Sequence, residues 1–385
     1  MRRLVLVGGG HAHLSVLAAL ARRRPLRTEV VLIAPGPFQT YSGMLPGWMA
    51  GHYTLDACRI DLRPLAQAAG VEMITARVVG LDADRRRLRL SNGVEMTYDL
   101  LSLDVGSETD RSWQTAAGAR MLAVRPIDDF VAGWEAALAE AAHQPGFRLA
   151  VVGGGAAGVE LAFAAQHRLV AFAGARPVTL VVADNGLLPG HAPAVVRRVQ
   201  NLLAQRGIVL RPGRVATGAD GLVLADGTRL EADCILVATG ARAPAWLRGS
   251  GLRLDGDGFV SVAGEHRSLS HANVFAAGDV CRRIDLDMAR SGVHAVRAGP
   301  VLAHNVLAAL AGGAAIRYVP RRRSLYLLAT RPGHAVVSWG RWSAEGAWVW
   351  RWKDRIDRRF IRKYARPSSG DDARNRIEEH GHASG

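Results

Sequence analysis

Short, wholly apolar runs alternate along this chain with longer stretches in which apolar residues recur every three or four positions. Leu4-Val5-Leu6-Val7 and Leu149-Ala150-Val151-Val152 are runs of the first kind. An apolar run without polar alternation predicts a strand buried on both faces, as in a parallel sheet. Glycines follow each run: Gly8-Gly9-Gly10 in one case, Gly153-Gly154-Gly155 in the other. Alanine- and leucine-rich sequence with helical spacing comes next. Each place therefore predicts a strand, a tight turn and a helix.

Between and beyond these points the pattern repeats. A strand at 29–34 ends in Ala34-Pro35, and residues 59–70 predict a short helix. Residues 36–54 are rich in glycine and aromatics, which predicts a loop with special backbone needs lying against a ligand. Strands at 76–82 and 87–90 precede the turn Ser91-Asn92-Gly93, and a strand from Tyr98 runs to Gly106-Ser107. The same order recurs from Val215 to Leu224, through the turn Asp226-Gly227, to the strand ending Ala238-Thr239-Gly240. The chain thus repeats a unit of glycine turn, meander and strand ending in glycine. A helix is expected at 127–143, a strand ending at Phe275-Ala276-Ala277-Gly278-Asp279, and a helix near 292–311. After 324 come strands with five tryptophans between Trp339 and Trp352, then a basic helix. From Arg366 the sequence is polar and is expected to be disordered.

With 385 residues there is material for two or three cores. Met1-Arg2-Arg3 leads straight into the first strand, so no cleavable leader is expected. No charge-free stretch of about twenty apolar residues occurs, so no spanning helix is expected. The three cysteines, Cys58, Cys234 and Cys281, are far apart and fit a reducing cytoplasm. Their spacing excludes a paired redox dithiol. The net charge of +15 is almost all arginine, with Lys353 and Lys363 the only lysines. No nucleic-acid module accompanies it, so the charge reads as a solvated basic surface and no nucleic-acid partner is expected. Attraction to an anionic membrane surface is the second option.

Strand–turn–helix context turns a glycine pattern into a dinucleotide site. Gly8 and Gly10 let the backbone approach a pyrophosphate, and the helix from His11, Ala12 and His13 points free N–H groups at it. At the third glycine position stands His13, which suggests a wider turn. A helix N-terminus disfavours a cation, so His11 and His13 read as packed or phosphate-facing neutral imidazoles, and no metal is expected. The second turn, Gly153, Gly155 and Gly158, is complete. Neither unit has the acid expected on a ribose hydroxyl: Ala34 and Val182 stand there, with Asp184 two residues on and no adjoining arginine. A second site that only packs is the alternative reading.

Taken together, the turns, the meanders, Ala238-Thr239-Gly240 and Phe275–Asp279 resemble the two-dinucleotide-binding flavoproteins, the pyridine nucleotide-disulfide oxidoreductases. Within them the chain is similar to type II NADH dehydrogenases and sulfide:quinone reductases. Closer still is the FAD-dependent family often fused in front of selenophosphate synthetase. That resemblance rests on Gly8–His13, Tyr41–Gly47, Ala50–Tyr53, Gly292–Arg297 and Trp350–Phe360, and extends to about residue 365.

The resemblance implies an α/β fold of two Rossmann-like domains with a C-terminal α+β cap. FAD would be held by 1–112 and 265–320, and NAD(P)H by 113–264. An aromatic-rich domain would cover 321–365, with a tail at 366–385. Asp279, after Gly278, would meet the flavin ribityl hydroxyls, and a helix beginning near Val280 would face the pyrimidine end of the ring. Met44, Leu45 and Pro46 would line the flavin and Val78 would meet adenine through its backbone. Ala34, Pro35 and Gly106 would complete the first site, and Gly240 the second. Glu160 would sit near the nicotinamide. The implied reaction passes a hydride from NAD(P)H to FAD, and then electrons to a small-molecule acceptor such as a quinone.

Where quinone-reducing relatives carry two glutamines, this chain has Val293 and Arg297. Arg297 would stabilise an anionic reduced flavin or substrate. Cys281, placed at a helix N-terminus, or Cys58 would serve a rival sulfur- or selenium-handling chemistry. A further rival is a flavin-bearing protein that binds a partner or a membrane and catalyses nothing. In the last helix, Trp352, Ile356, Phe360 and Tyr364 form an aromatic and aliphatic stripe among basic residues. That stripe fits peripheral attachment to the inner face of a membrane, packing on the protein's own core, or a homodimer contact.

Overall fold

The computed structural model describes residues 1–113, 120–173, 177–218, 221–286, 288, 292–321 and 323–365. The tail expected to be disordered lies outside them. In chain order the first sheet contains β1 (Arg2–Val7), β2 (Thr28–Ala34), β3 (Glu72–Thr75) and β4 (Leu100–Leu103), all parallel. Between β1 and β2 runs α1 (His11–Arg22). Next comes a second parallel sheet of β5 (Arg120–Ala123), β6 (Leu149–Val152), β7 (Val178–Val182), β8 (Val209–Pro212) and β9 (Cys234–Val237). Here α2 (Ala156–Ala173) follows β6. The chain then returns to the first sheet as β10 (Val274–Ala276), beside β4.

Strand orders are β10-β4-β1-β2-β3 and β5-β9-β6-β7-β8. In each sheet the strand before the glycine turn has one neighbour from each winding direction. The loops leaving β1 and β4, or β6 and β9, therefore diverge and open a crevice at the carboxyl ends. The antiparallel meanders also recur, as Val78–Asp82, Arg87–Leu90 and Glu95–Thr97, and again as Val215–Gly218, Gly221–Leu224 and Arg229–Glu231.

The apolar runs end up where their pattern requires. Leu4, Val5 and Leu6 are fully buried, as are Val151 and Leu236. The helix predicted at 127–143 forms over Ile127–His143. A short strand, β11 (Cys281–Arg283), pairs with Val260–Val262, and α3 (Gly292–Ala311) follows. Leu302 and Val306 of α3 share a core with Leu14 and Leu17 of α1. The two helices meet closely at Gly299, where a Cβ would lie 2.6 Å from Ser15 Oγ.

A C-terminal antiparallel sheet, β12 (Leu325–Arg331), β13 (His334–Trp339) and β14 (Trp342–Gly346), precedes α4 (Ala347–Ala365). Leu328 and Val336 join the core around Trp134 and Phe163, which anchors this sheet beside the second parallel sheet, while α4 reaches toward the first. Helix α4 lays its aromatic side on the first: Phe360 stacks on Tyr41 at 4.5 Å, and the Tyr364 hydroxyl bonds Ser15 at 3.0 Å. The stripe thus packs mainly on the protein's own core, leaving Ile356 exposed. No helix among the described residues is long and apolar enough to cross a membrane.

Candidate functional site

The turn after β1 is built around a buried carboxyl. Gly8 has φ +91°, and a Cβ there would collide with the Asp104 carbonyl, so only glycine fits. Asp104 lies just past β4, 3% exposed, and its Oδ2 accepts the N–H groups of Ala12 (2.8 Å) and His13 (2.9 Å). Burial, with Asp279 adding like charge, pushes this carboxyl up to about 7 despite those two bonds. His13 is wholly buried. Its Nδ1 donates to the Gly8 carbonyl at 2.6 Å, which leaves Nε2 to accept from the Ser102 hydroxyl at 2.8 Å. Burial lowers its pKa to about 4 and keeps the ring neutral, as expected for a packed histidine. His11 is likewise held to about 4 by burial and by Arg125. Its ring lies against Tyr41 and Phe360, and Nε2 is buried without a partner.

The second turn is tighter. A Cβ on Gly158 would collide with the Gly153 carbonyl, so α2 starts in direct contact with the turn. Gly155 has open space where its side chain would be and lines a cleft. Val182 ends β7, as expected. Asp184 is exposed and pairs with Arg214 at 2.7 Å. No arginine adjoins Val182 in sequence, yet the parallel pairing of β7 with β8 brings Arg214 beside this strand end.

Between the two units lies a cleft of about 670 Å³, of ordinary size for a cofactor and a small substrate. Ser42, Leu45 and Pro46 line one side, Gly155 and Glu160 another, and Gly278, Asp279 and Cys281 a third. Asp279 meets Arg125 at 2.9 Å. Thr239 and Gly240 also reach the cleft. Residues 36–54 are not the loop expected: they form the short strand Phe38–Thr40, a 3-10 turn at Ser42–Met44 and a helix at Leu45–Met49, and they border the cavity through Tyr41, Ser42, Gly43, Leu45 and Pro46.

Several expected positions differ. Met44 does not line the cleft; it is buried against Tyr53 and Cys58. The residues after Asp279 form one 3-10 turn, Gly278–Val280, and then β11. No α-helix begins near Val280; α3 starts twelve residues later and brings Val293, His294 and Ala295 to the cleft. The helix-dipole argument for Cys281 fails with it, because Cys281 sits in strand pairing with Val260 and its thiol contacts the Gly278 carbonyl at 3.4 Å. Cys58 is packed behind Met44, and burial pushes its thiol up to about 12; Cys234 is core. Arg297 does not line the cleft; its Nη1 is buried without a partner, and its charge acts on His294 and Tyr318. Val78 is buried in its meander, Ala34 ends β2, Pro35 is exposed, and Gly106 follows Asp104 in open space.

Glu160 heads a buried acid–base cluster. Its Oε1 accepts the Ala329 N–H at 2.8 Å, and burial pushes its carboxyl up to about 7, partly offset by Lys353. Lys353 donates to the Gly43 carbonyl (2.6 Å) and to Asp357 (2.7 Å). Burial opposes its charge, but Asp357 and Glu160 outweigh burial and hold the ammonium above its ordinary range. Tyr41 lies on the cleft side of this cluster, where burial and the Asp357 charge hold its hydroxyl above the ordinary range. The family resemblance points to Glu160, whereas no motif singles out a site role for Tyr41, Asp104, Arg125, Lys353 or Asp357. Signals existed. Ser102 and Asp104 are polar residues two apart in an apolar strand run, and Lys353 is one of two lysines in an arginine-biased chain.

The fit to two dinucleotides rests on two glycine turns closed to side chains, each with a helix N-terminus behind it, and on a cleft walled by Gly155 of the second turn and by Gly278 and Asp279; Gly8, Gly10, His11, Ala12 and His13 of the first turn do not line that cleft. Comparison with known proteins agrees. The pyridine nucleotide-disulphide oxidoreductase family model matches residues 2–303. An NADH dehydrogenase-like protein of Mycobacterium tuberculosis is 29% identical over 308 residues, 73% of this chain and 73% of that protein. The ferredoxin–NAD(+) reductase component of the biphenyl dioxygenase system of Paraburkholderia xenovorans is 27% identical, over 72% of this chain and 67% of its own length. The solved sulfide:quinone oxidoreductase of Aquifex aeolicus superposes with a TM-score of 0.77 over 97% of this chain and 94% of that one, at 16% identity, and so shares the fold.

Proposed function

Because the chain belongs to the pyridine nucleotide-disulphide oxidoreductase family and is an FAD-dependent NAD(P)H oxidoreductase, we propose that its acceptor takes hydrogen, as a quinone does. The observation that carries this reading is Glu160 on the cleft wall, poised to titrate near neutrality. Reduction of a quinone by NAD(P)H consumes one proton besides the hydride: NAD(P)H, H⁺ and quinone give NAD(P)⁺ and quinol. A one-electron carrier needs no such proton at the site.

Bound FAD supplies hydride acceptance and onward electron delivery. The chain's own residues do the rest. Glu160 holds a proton at Oε2 while Oε1 is fixed by the Ala329 N–H. Lys353, clamped by Gly43 and Asp357, stabilises the carboxylate after the proton leaves. Leu45 and Pro46 exclude water from the same wall. In this reading the segments 1–112 and 265–320 hold FAD, 113–264 receives the nicotinamide donor, and 321–365 supplies Lys353. Cys281 borders the cleft, but Cys58 faces a different packet. A single cleft thiol does not support a two-cysteine sulfur chemistry.

The test is anaerobic mixing with NADH and then NADPH, followed by reoxidation with a short-chain quinone or with ferricyanide. Wild-type turnover with quinone should fall as pH rises above about 7, as Glu160 loses its proton. Glu160→Gln should slow quinone reduction about a hundredfold or more and flatten that profile, with ferricyanide reduction nearly unchanged. Equal loss with both acceptors would refute the proton role. Reduction of ferricyanide and a ferredoxin, with none of quinone by the wild type, would assign a one-electron acceptor instead.

A further inference from the structure

The first glycine turn departs from the common pattern twice, and the two departures touch. His13 replaces the third glycine, and Asp104 fills the place behind the turn. Asp104 takes two N–H donors of the first turn of α1 that would otherwise face a phosphate, while His13 donates to the Gly8 carbonyl and so fixes the turn behind them. The other carboxylate oxygen, Oδ1, lies between the turn and the Gly278–Asp279 segment. A Cβ on Gly10 would come within 2.5 Å of it, and one on Gly278 within 2.7 Å.

A dinucleotide pyrophosphate brings negative charge to this same helix N-terminus. An ionised Asp104 would compete with it for the helix dipole and repel it at short range in a desolvated setting. A neutral carboxyl would keep one acceptor on the helix and offer an O–H to an anion. We infer that Asp104 is a proton-linked part of the FAD cradle: FAD binding takes up a proton on this carboxyl, so affinity for FAD falls as pH rises. Asp104 acts here as a positioning residue for the cofactor and does not touch the reacting atoms.

Other charged groups around it do not supply the same behaviour. On α1, His11 and His13 are held neutral, each near 4. Asp279, from the 3-10 turn, is paired with Arg125. His294 of α3 is lowered by burial and by Arg297. Glu160 titrates in the same range as Asp104, but it belongs to α2, in the other domain. The sign follows from linkage. Asp104 in the FAD-free protein titrates near 7, and added phosphate charge raises that value. Below both values Asp104 is protonated in either state and affinity is flat. Between them, affinity falls by up to about tenfold per pH unit.

The experiment strips FAD from the purified protein and measures rebinding by quenching of flavin fluorescence from pH 6 to pH 9. Wild type should be flat at the acid end and weaken above neutrality. Asp104→Asn keeps the acceptor for Ala12 and His13, and should bind with little dependence on pH. Glu160→Gln should keep the wild-type slope. Calorimetry of wild type alone at pH 8, in buffers of different ionisation enthalpy, should show net proton uptake, which keeps the proposal testable if the Asn variant fails to fold. A flat wild-type profile, absence of proton uptake, or an unchanged slope in Asp104→Asn would each overturn the proposal. No FAD binding at any pH would overturn the flavin assignment, and this inference with it.

Discussion

At the third position of the glycine pattern the second turn has Gly158 and the first has His13, and the two residues treat one gap oppositely. Gly158 lets helix and turn touch, with no room for a methyl group. His13 fills the corresponding space with a ring hydrogen-bonded at both nitrogens, to the Gly8 carbonyl and the Ser102 hydroxyl. The comparison teaches that a glycine in such a motif marks a packing requirement that another residue can meet, provided its polar atoms are satisfied. In the first turn it is Asp104 that caps the helix, so a buried carboxyl stands in the cofactor cradle.

Substitution at Gly158 breaks the comparison most sharply. Gly158→Ala places a methyl group on the Gly153 carbonyl and pushes α2 off the turn. Misplacement by about 1 Å commonly costs about a hundredfold in rate, so flavin bleaching by NAD(P)H should slow by about that much while bound FAD remains. Loss of FAD with no change in the bleaching of what stays bound would assign the turns the other way round. An intermediate effect is expected from His13→Gly, which restores the common pattern on paper. It opens a cavity and leaves the Ser102 hydroxyl and Gly8 carbonyl unpaired. Together these should destabilise the protein by about 3 kcal/mol or more, read as a lower denaturation midpoint. A stabilised variant would mean that the ring is not holding the turn.

Asp184→Ala has the smallest expected effect. The Asp184–Arg214 pair is exposed on both sides, and such pairs contribute about 0–1 kcal/mol, so stability should hardly move. The freed arginine at the end of β7 should lower KM for NADPH relative to NADH by a few-fold, because a guanidinium there can meet a 2′-phosphate. An unchanged ratio would place the ribose elsewhere.

The periodicity was enough to predict both strand–turn–helix units, the repeated meander and the helix over 127–143, because buried parallel strands and amphipathic helices leave local patterns that neighbours a few residues away enforce. Gly278-Asp279, Leu45-Pro46 and Glu160 were singled out by the family resemblance and not by periodicity, and all of them border the cleft. A helix at Val280 was misread because nothing local distinguishes a 3-10 turn entering a strand from a helix start. Pairing with Val260 decides it, and Val260 is twenty residues away.

By itself, then, the sequence determined the α/β plan, the two glycine turns and the family these imply. Tertiary structure alone decided which side chains share the cleft. Asp104 meets Ala12 across ninety-two residues, and Arg125 meets Asp279 from a distant part of the chain. Lys353 reaches Gly43 from a helix near the C-terminus. Those contacts depend on how β1 and β4 lie side by side and on where α4 docks. Buried charge and hydrogen bonding act through space, so no local pattern in the chain records them.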